Sequence, residues 1–140
     1  MDCVFCKIRD GAIPSTRVYE DERTLAFMDI HPLNDGHCLV VTRAHAETIF
    51  DADLADLAAA IATARRVAEA LRRALAPDGL NLLQANGKAA FQSVPHFHLH
   101  LIPRFTGDGK GFDWPLVAGD RARIQAVAEK IRAELPPVGA

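Results

Sequence analysis

The run His96-Phe97-His98-Leu99-His100-Leu101-Ile102 decides the fold and the chemistry expected of this chain. Side chains alternate between the two faces of a strand, so the three histidines are predicted to share one face. Phe97, Leu99 and Leu101 then fill the other face and pack on helices. Alternate residues lie about 6.6 Å apart along a strand, so the three histidines span about 13 Å. Zinc binds its ligands at about 2.0–2.3 Å, so at least one histidine is expected to serve another purpose.

Two helices and four further strands are predicted around this run. Apolar residues at alternating spacings of three and four predict a long helix over residues 52–76, and a second helix is predicted over about 120–135. Alternation and turn residues predict strands over residues 17–20, 24–29, 37–42, 80–85 and 96–102. Strands gathered around one long helix favour an α+β fold with an antiparallel sheet.

The two predicted helices each carry one apolar face. Asp51 is expected to cap the long helix, and Pro77 with Gly79 to end it. The residues expected to be buried on the long helix are Leu54, Leu57, Ile61, Ala64, Ala68, Leu71 and Leu75. Those expected to face inward on the second helix are Ile124, Val127, Ala128 and Ile131.

The composition excludes several classes of protein. The chain has 140 residues and a net charge of −2, which fits a single domain over residues 1–140 without the basic excess of a nucleic-acid or membrane-surface binder. No apolar run reaches the roughly 20 residues of a membrane helix, and the N-terminus lacks the features of a signal peptide. We therefore expect a cytoplasmic protein whose cysteines are thiols or metal ligands, with Cys38 buried in a strand.

Neutral imidazole near pH 7 is a competent nucleophile toward phosphorus, and a neighbouring hydrogen bond can fix which nitrogen attacks. The alternative interpretation of the run is a polar strand face turned toward solvent. Three alternating histidines after a Gln-Ser loop favour a reactive site.

The sequence resembles the histidine-triad (HIT) family of nucleotide hydrolases and transferases, in its bacterial Hint-like branch. The family signature is His-φ-His-φ-His-φ-φ with φ apolar, and residues 96–102 match it at every position. Residues 86–95 resemble the family's phosphate loop, and residues 27–30 and 36–41 resemble two further segments. The likeness covers residues 3 to about 104. It implies a HIT-like fold, with a five-stranded antiparallel sheet, one long central helix and a C-terminal helix.

The resemblance implies an enzyme that cleaves a phosphoramidate or phosphoanhydride bond at the α-phosphate of a purine nucleotide. The partner would be AMP, GMP or an adenosine derivative, and no organic cofactor is expected. His98 would attack phosphorus to give a nucleotidyl-histidine, which water then hydrolyses. The type expected is a phosphoramidase or a dinucleoside polyphosphate hydrolase.

The resemblance also assigns residues that bind the nucleotide. His100, Ser93, Asn86 and Gln92 would contact the phosphate as preorganised donors. Asp29 would accept hydrogen bonds from the ribose hydroxyls. His37 would support the triad by hydrogen bonding, and apolar residues near Ile30 and Leu39 would form walls of a base pocket.

One position departs from the family pattern. Many members have Gly before the residue that matches Gln92, and this chain has Phe91. Phenylalanine disfavours most positive-φ conformations that glycine accepts. We therefore expect either a loop of different shape or a ring that narrows the leaving-group side of the pocket.

A pair of cysteines, Cys3-x-x-Cys6, supplies only half of a tetrahedral zinc site. By resemblance to bacterial members, His45 and His96 complete a structural Cys₂His₂ zinc site, one ion per chain. Two alternatives remain from the residues themselves, namely ordinary thiols beside a short helix and a CxxC redox pair.

Two other functions fit the residues less well. One is a metal-dependent hydrolase using a pair of the strand histidines, for which Asp108 and Asp113 are the nearby acids in sequence. The other is a nucleotide-binding regulatory module with vestigial catalysis. The family further implies a homodimer that joins two five-stranded sheets, and Trp114 would either pack locally or extend to the partner's site.

Overall fold

The computed structural model describes residues 2–136 and confirms the α+β class, with a five-stranded antiparallel sheet, a long helix and a C-terminal helix. The strands are β1 Arg17–Glu20, β2 Thr24–Met28, β3 Cys38–Thr42, β4 Gly79–Leu83 and β5 His98–Arg104. The α-helices are α1 Val4–Arg9, α2 Leu54–Leu75 and α3 Arg121–Ala133, and a 3₁₀ helix covers Lys88–Ala90.

The strands run in the order β1-β2-β3-β5-β4, with every neighbouring pair antiparallel. The histidine strand β5 therefore lies inside the sheet, between β3 and the edge strand β4. In its register with β3, His98 pairs with Val41 and His100 pairs with Leu39. Paired residues share a face of the sheet, so this register places both histidines beside buried aliphatic side chains.

Each face of the sheet carries its own apolar cluster. The cluster on the α2 face contains Ala26, Cys38, Val40, Ala60, Ala64, Val67, Phe97, Leu99 and Leu101. The cluster on the opposite face contains Cys3, Phe5, Cys6, Ile8, Leu25, Phe27, Leu39 and Val41. Phe97, Leu99 and Leu101 thus pack toward the long helix, as the alternation predicts, and the histidines take the face covered by α1.

The start and the buried face of α2 differ from the sequence prediction. Asp53 caps the helix through the Ala55 N–H, whereas Asp51 accepts hydrogen bonds from the N–H groups of Glu47 and Thr48 in the preceding turn. The residues fully buried on α2 are Ala60, Thr63, Ala64 and Val67. Small side chains here let the helix approach the sheet closely. The larger Leu54, 81% exposed, and Ile61, 53% exposed, lie away from it, although both were predicted to be buried.

The chain divides after Gly109 into two compact units. In the second unit, the prediction of a buried face on α3 is wrong, because Ile124, Val127 and Ile131 are each about half exposed. A single domain over residues 1–140 remains a prediction. Within residues 2–136, no helix has both the length and the apolar character needed to cross a membrane.

Candidate active site and metal centre

The tautomer of His98 is fixed by a main-chain carbonyl. Its Nδ1 lies 2.7 Å from the carbonyl oxygen of His96. Because a carbonyl oxygen only accepts, Nδ1 carries the proton and donates it, so the neutral ring keeps an unprotonated Nε2. Burial lowers the pKa of His98, although the His96 carbonyl opposes this effect. The ring is 4% exposed and packs edge-on against Phe5 of α1, with centroids 5.1 Å apart. A neutral imidazole with a free Nε2 is the form that attacks phosphorus.

His37 and His100 form a hydrogen-bonded pair whose proton positions follow from one main-chain group. The Leu33 N–H donates to His37 Nδ1 over 2.9 Å, so the neutral ring of His37 has its proton on Nε2. That Nε2 lies 2.9 Å from His100 Nδ1 and donates to it. His100 then carries its own proton on Nε2 and is a donor there. Burial lowers the pKa of His100 to about 4, so the ring is neutral at pH 7.

Asp29 follows β2 and lies beside this histidine pair. One carboxylate oxygen, Oδ1, accepts the N–H of His31 over 2.8 Å. The other, Oδ2, lies 3.4 Å from His37 Nε2 and 4.0 Å from His100 Nδ1. The carboxylate therefore opposes, without cancelling, the effect of burial on the pKa of His100.

A cleft of about 360 Å³ opens on the histidine face, a size typical of small-molecule sites. His98, His100, Asp29 and Ser93 all contribute to its lining. The apolar lining consists of Val4, Phe5, Ile8, Ile13, Pro14, Phe27, Met28, Ile30, Leu39 and Val94. The cleft thus combines a large apolar surface with a few polar groups, a composition suited to an aromatic base joined to a charged group.

The two amides predicted to contact phosphate, Asn86 and Gln92, have partners within the protein. Gln92 accepts the N–H of Gly87 over 2.7 Å and donates to the carbonyls of Glu47 and Val94. Asn86 accepts the Ile49 N–H over 2.7 Å and exchanges two hydrogen bonds with the amide of Gln84. Neither amide lines the cleft, so in the structure both hold the loop that carries Ser93, and their contact with phosphate stays a prediction.

Phe91 adopts the left-handed conformation that its residue type disfavours. Its φ is +65° and its ψ 32°, and its ring is 91% exposed. The loop therefore keeps a glycine-like backbone at this position. The sequence predicted either a loop of different shape or a ring that narrows the pocket. The left-handed backbone of Phe91 argues against the loop of different shape. The ring does not line the cleft either.

Cys3, Cys6, His45 and His96 meet at one point, with one ligand atom of each within 4.8 Å of the others. His96 Nδ1 lies 3.4 Å from the Cys3 sulfur, 3.7 Å from the Cys6 sulfur and 3.3 Å from His45 Nδ1. Ligands at about 2.0–2.3 Å around a tetrahedral ion are about 3.3–3.8 Å apart. The four side chains therefore fit a Cys₂His₂ zinc site in which no position remains open for water.

The tautomer of His96 also suits a metal ligand. Its Nε2 lies 2.6 Å from the carbonyl oxygen of Thr42, so the proton is on Nε2 and the lone pair of Nδ1 points into the cluster. The residue is fully buried and precedes β5, which begins at His98 and not at His96 as predicted. Its ring still packs on Phe5, as the ring of His98 does.

The sequence matches the HIT domain over residues 10–107, more than half of the chain. The chain belongs to the HIT family. It is 35% identical to the adenosine 5′-monophosphoramidase of Schizosaccharomyces pombe, over 96% of this chain and 99% of that one. A HIT family protein of Bacillus subtilis of known crystal structure has a TM-score of 0.90 and 38% identity, covering 98% of this chain and 99% of that one.

A third relative bears on the metal centre. The zinc-bound histidine triad family protein of Mycobacterium smegmatis has a TM-score of 0.76 and 37% identity to this HIT protein. The match covers 96% of this chain and 99% of that one.

Two features of this HIT site were not found from the sequence. Phe5 was not identified as the side chain that packs on both His96 and His98, because an aromatic residue in a short helix gives no periodic signal. Asp29 was assigned to the ribose only, and its approach to His37 depends on the antiparallel pairing of β2 with β3. Asp108, considered as an acid near the triad, instead pairs with Arg104.

Proposed function

We propose that this HIT protein is a hydrolase or nucleotidyl transferase that acts at the α-phosphate of a purine nucleotide, through a nucleotidyl intermediate on His98. The observation that carries the proposal is the 2.7 Å hydrogen bond from His98 Nδ1 to the His96 carbonyl. It leaves Nε2 unprotonated on a residue that lines the cleft. The similarity to an adenosine 5′-monophosphoramidase supports the same reaction and an adenine nucleotide as substrate.

In the proposed reaction, His98 Nε2 forms a bond to the α-phosphorus while the bond to the leaving group breaks with its electron pair on that group. The nitrogen of a phosphoramidate takes a proton from solvent and leaves as ammonia. The His98 ring becomes a cation. The His96 carbonyl, which accepts a hydrogen bond from His98 Nδ1, stabilises the new charge. His100 donates from Nε2 to a phosphate oxygen, and Ser93 donates from the phosphate loop. Water then attacks phosphorus, the bond to Nε2 breaks, and the nucleotide is released.

Further features of the site support the proposed binding of the nucleotide. The apolar lining suits a purine base, and Asp29 lies in the same cleft as the reactive histidines, within reach of a ribose. His37 would orient His100 through their 2.9 Å hydrogen bond. Asn86 and Gln92 would act by holding the phosphate loop.

We propose that Cys3, Cys6, His45 and His96 hold one structural zinc ion, since their donor atoms fit the tetrahedral distances. The ion would supply no chemistry to the substrate and would tie α1 to the residues that precede β5. Metal analysis of the purified protein should find about one zinc per chain, and a metal-free, fully folded protein would exclude the site.

We also propose a homodimer. Strand β4 is an edge strand, and its Leu80, Leu82 and Leu83 are 40–51% exposed. An exposed edge with apolar side chains is suited to pairing with a second copy. Sedimentation of the purified protein should give twice the chain mass, and Leu82→Lys should shift it toward the monomer. The cytoplasmic location and a single domain over the whole chain stay predictions.

A metal-dependent hydrolase remains the second candidate because Asp29, His37 and His100 also bring ligand atoms within 4.8 Å of one another. Incubation with adenosine 5′-phosphoramidate, with and without brief chelation, separates the possibilities. The proposed function predicts turnover that survives brief chelation and is lost in His98→Ala. Turnover abolished by chelation and restored by added metal would favour the metallohydrolase. AMP binding without turnover would indicate a regulatory module.

A further inference from the structure

The loop of residues 29–37, which joins β2 to β3, holds His37 through two adjacent residues. The Leu33 N–H donates to Nδ1 of the His37 ring over 2.9 Å. The Asn34 carbonyl accepts the main-chain N–H of His37 over 3.1 Å. The place of the His37 ring, and hence of its hydrogen bond to His100, therefore depends on where residues 33 and 34 are held.

The side chain of Asn34 fastens this loop to the end of β5. Its Nδ2 donates to the carbonyl of Pro103 over 3.0 Å and to Oδ2 of Asp108 over 2.9 Å. An amide nitrogen has two hydrogens to donate, so both have acceptors here. Pro103 lies three residues after His100 on the same strand. Asn34 therefore links the loop that carries His37 directly to the strand that carries His100.

Asp108 is a fixed acceptor for Asn34. Its two carboxylate oxygens accept Nε and Nη2 of Arg104, each over 2.9 Å, and one of them also accepts the N–H of Phe105 over 3.1 Å. A guanidinium that donates two parallel hydrogen bonds fixes the plane of the carboxylate. The side chain of Asp108 is 10% exposed, so water competes little for these bonds.

Close packing holds the same loop at a second point, Gly36. Its φ is +90°, and a Cβ at this position would lie 2.5 Å from Cδ1 of Leu75 and 3.0 Å from Cγ of Pro103. The main chain of the loop therefore packs directly on the ends of α2 and β5. Hydrogen bonds at Asn34 and close contact at Gly36 together set the position of the loop on β5.

We propose that Asn34 is a positioning residue for the reaction, acting through His37 on the Nε2 donor of His100. Arg104 and Asp108 hold its side chain in place. The inference rests on the proposed function, in which His100 donates to a phosphate oxygen. Asn34 does not line the cleft and so acts without touching the substrate. When its two side-chain hydrogen bonds are lost, the Leu33 N–H shifts relative to β5 and His37 no longer aligns the His100 ring.

The test compares Asn34→Ala with Asn81→Ala, because both asparagines bind the pair formed by Arg104 and Asp108. Asn81 accepts Nη1 of Arg104 over 3.0 Å, but it lies on β4, on the other side of β5 from the loop. Asn34→Ala should lower kcat for adenosine 5′-phosphoramidate about 5-fold, the effect of one hydrogen bond, with KM nearly unchanged. Asn81→Ala is the matched control and should keep the wild-type kcat. Asn34→Asp keeps the size of the side chain but loses both donors, and should lower kcat at least as much.

Two further measurements distinguish positioning from a general loss of stability. In the His37→Ala background, Asn34→Ala should have no further effect on kcat, because it acts only through His37. The ¹⁵N resonance of His37 Nδ1 senses its hydrogen bond to the Leu33 N–H. That resonance should shift in Asn34→Ala and stay in place in Asn81→Ala.

Four results would overturn the inference and leave the proposed function intact. They are an unchanged kcat in both Asn34 variants of an enzyme that is active as wild type, an equal loss in Asn81→Ala, an additive loss in the His37→Ala background, and an unshifted resonance of His37. Wild-type protein that does not turn over the phosphoramidate at all would instead remove the proposed function, and this inference with it.

Discussion

His96 and His98 lie two residues apart, yet their rings donate to carbonyl oxygens through opposite nitrogens. His96 donates from Nε2 to Thr42 and keeps a lone pair on Nδ1, among two cysteine sulfurs and His45. His98 donates from Nδ1 to His96 and keeps a lone pair on Nε2, in a residue that lines the cleft. One side chain type is thus suited to the proposed metal ligand in one place and to the proposed nucleophile in the next, according to which nitrogen donates to a main-chain carbonyl.

The largest effect should come from the nucleophile. His98→Ala should lower kcat for adenosine 5′-phosphoramidate by about 10⁴-fold or more, as loss of a nucleophile does. Zinc content should stay near one per chain, because His98 supplies no ligand atom to the cluster. Steady-state kinetics measures the fall in kcat, and metal analysis measures the zinc content. A variant that loses its zinc would show that the two sites are not independent.

The second largest fall in kcat should come from substitution of His100. His100→Ala removes a neutral donor and should lower kcat about 10²–10³-fold, the usual cost of one preorganised donor. His37→Ala acts only through His100 and should cost about 10-fold. Since the two residues act as a unit, His37→Ala should have little further effect in the His100→Ala background. Additive losses in this double-mutant cycle would contradict the hydrogen-bonded pair.

The double variant Cys3→Ser, Cys6→Ser tests the proposed zinc site, which includes His96 at the start of the histidine run. The double variant should bind no zinc. Its free energy of unfolding should fall by about 3 kcal/mol, as expected when a protein loses an ion whose free concentration is well above the Kd. The melting temperature would then fall by about 10 °C. Cys38→Ser is the matched control, since that buried thiol lies on the α2 face and is remote from the cluster. Equal zinc content in both variants would exclude the Cys₂His₂ site.

The last effect, and the smallest over any single pH unit, is a loss of stability in acid. The pKa of His100 is about 4 in the folded protein, whereas an unperturbed histidine, as in the unfolded chain, has a pKa of about 6.5. Between these two pH values the unfolded chain therefore binds more protons than the folded protein. The free energy of unfolding should therefore fall as pH is lowered from 6.5 to 4, by at most about 1.4 kcal/mol per pH unit from this group. Denaturant unfolding at several pH values measures the slope. His100→Asn should show a shallower slope, and an equal slope would assign the acid sensitivity to other groups.

Sequence reasoning found the sheet and the long helix, because alternation and spacing are local properties, and the roles that it assigned within the histidine run stay predictions. It did not find the proton positions, which depend on the carbonyls of Thr42 and His96 and on the Leu33 N–H. It also predicted that a leucine-rich face of α2 is buried. The buried face instead contains small residues such as Ala60 and Ala64, because they let the helix pack closely on the sheet. Contacts between distant segments, such as Asp29 with His37, follow only from the folded register.

The most direct test is to trap the covalent intermediate. Wild-type protein is mixed with excess adenosine 5′-phosphoramidate, quenched within one turnover in alkali, where phosphohistidine-type bonds persist, and analysed by peptide mass spectrometry. The account predicts one adenylyl group per active site, attached to His98 and absent from His98→Ala. An adenylyl group on His96 or His100 would contradict it. So would rapid turnover with no adduct at any quench time.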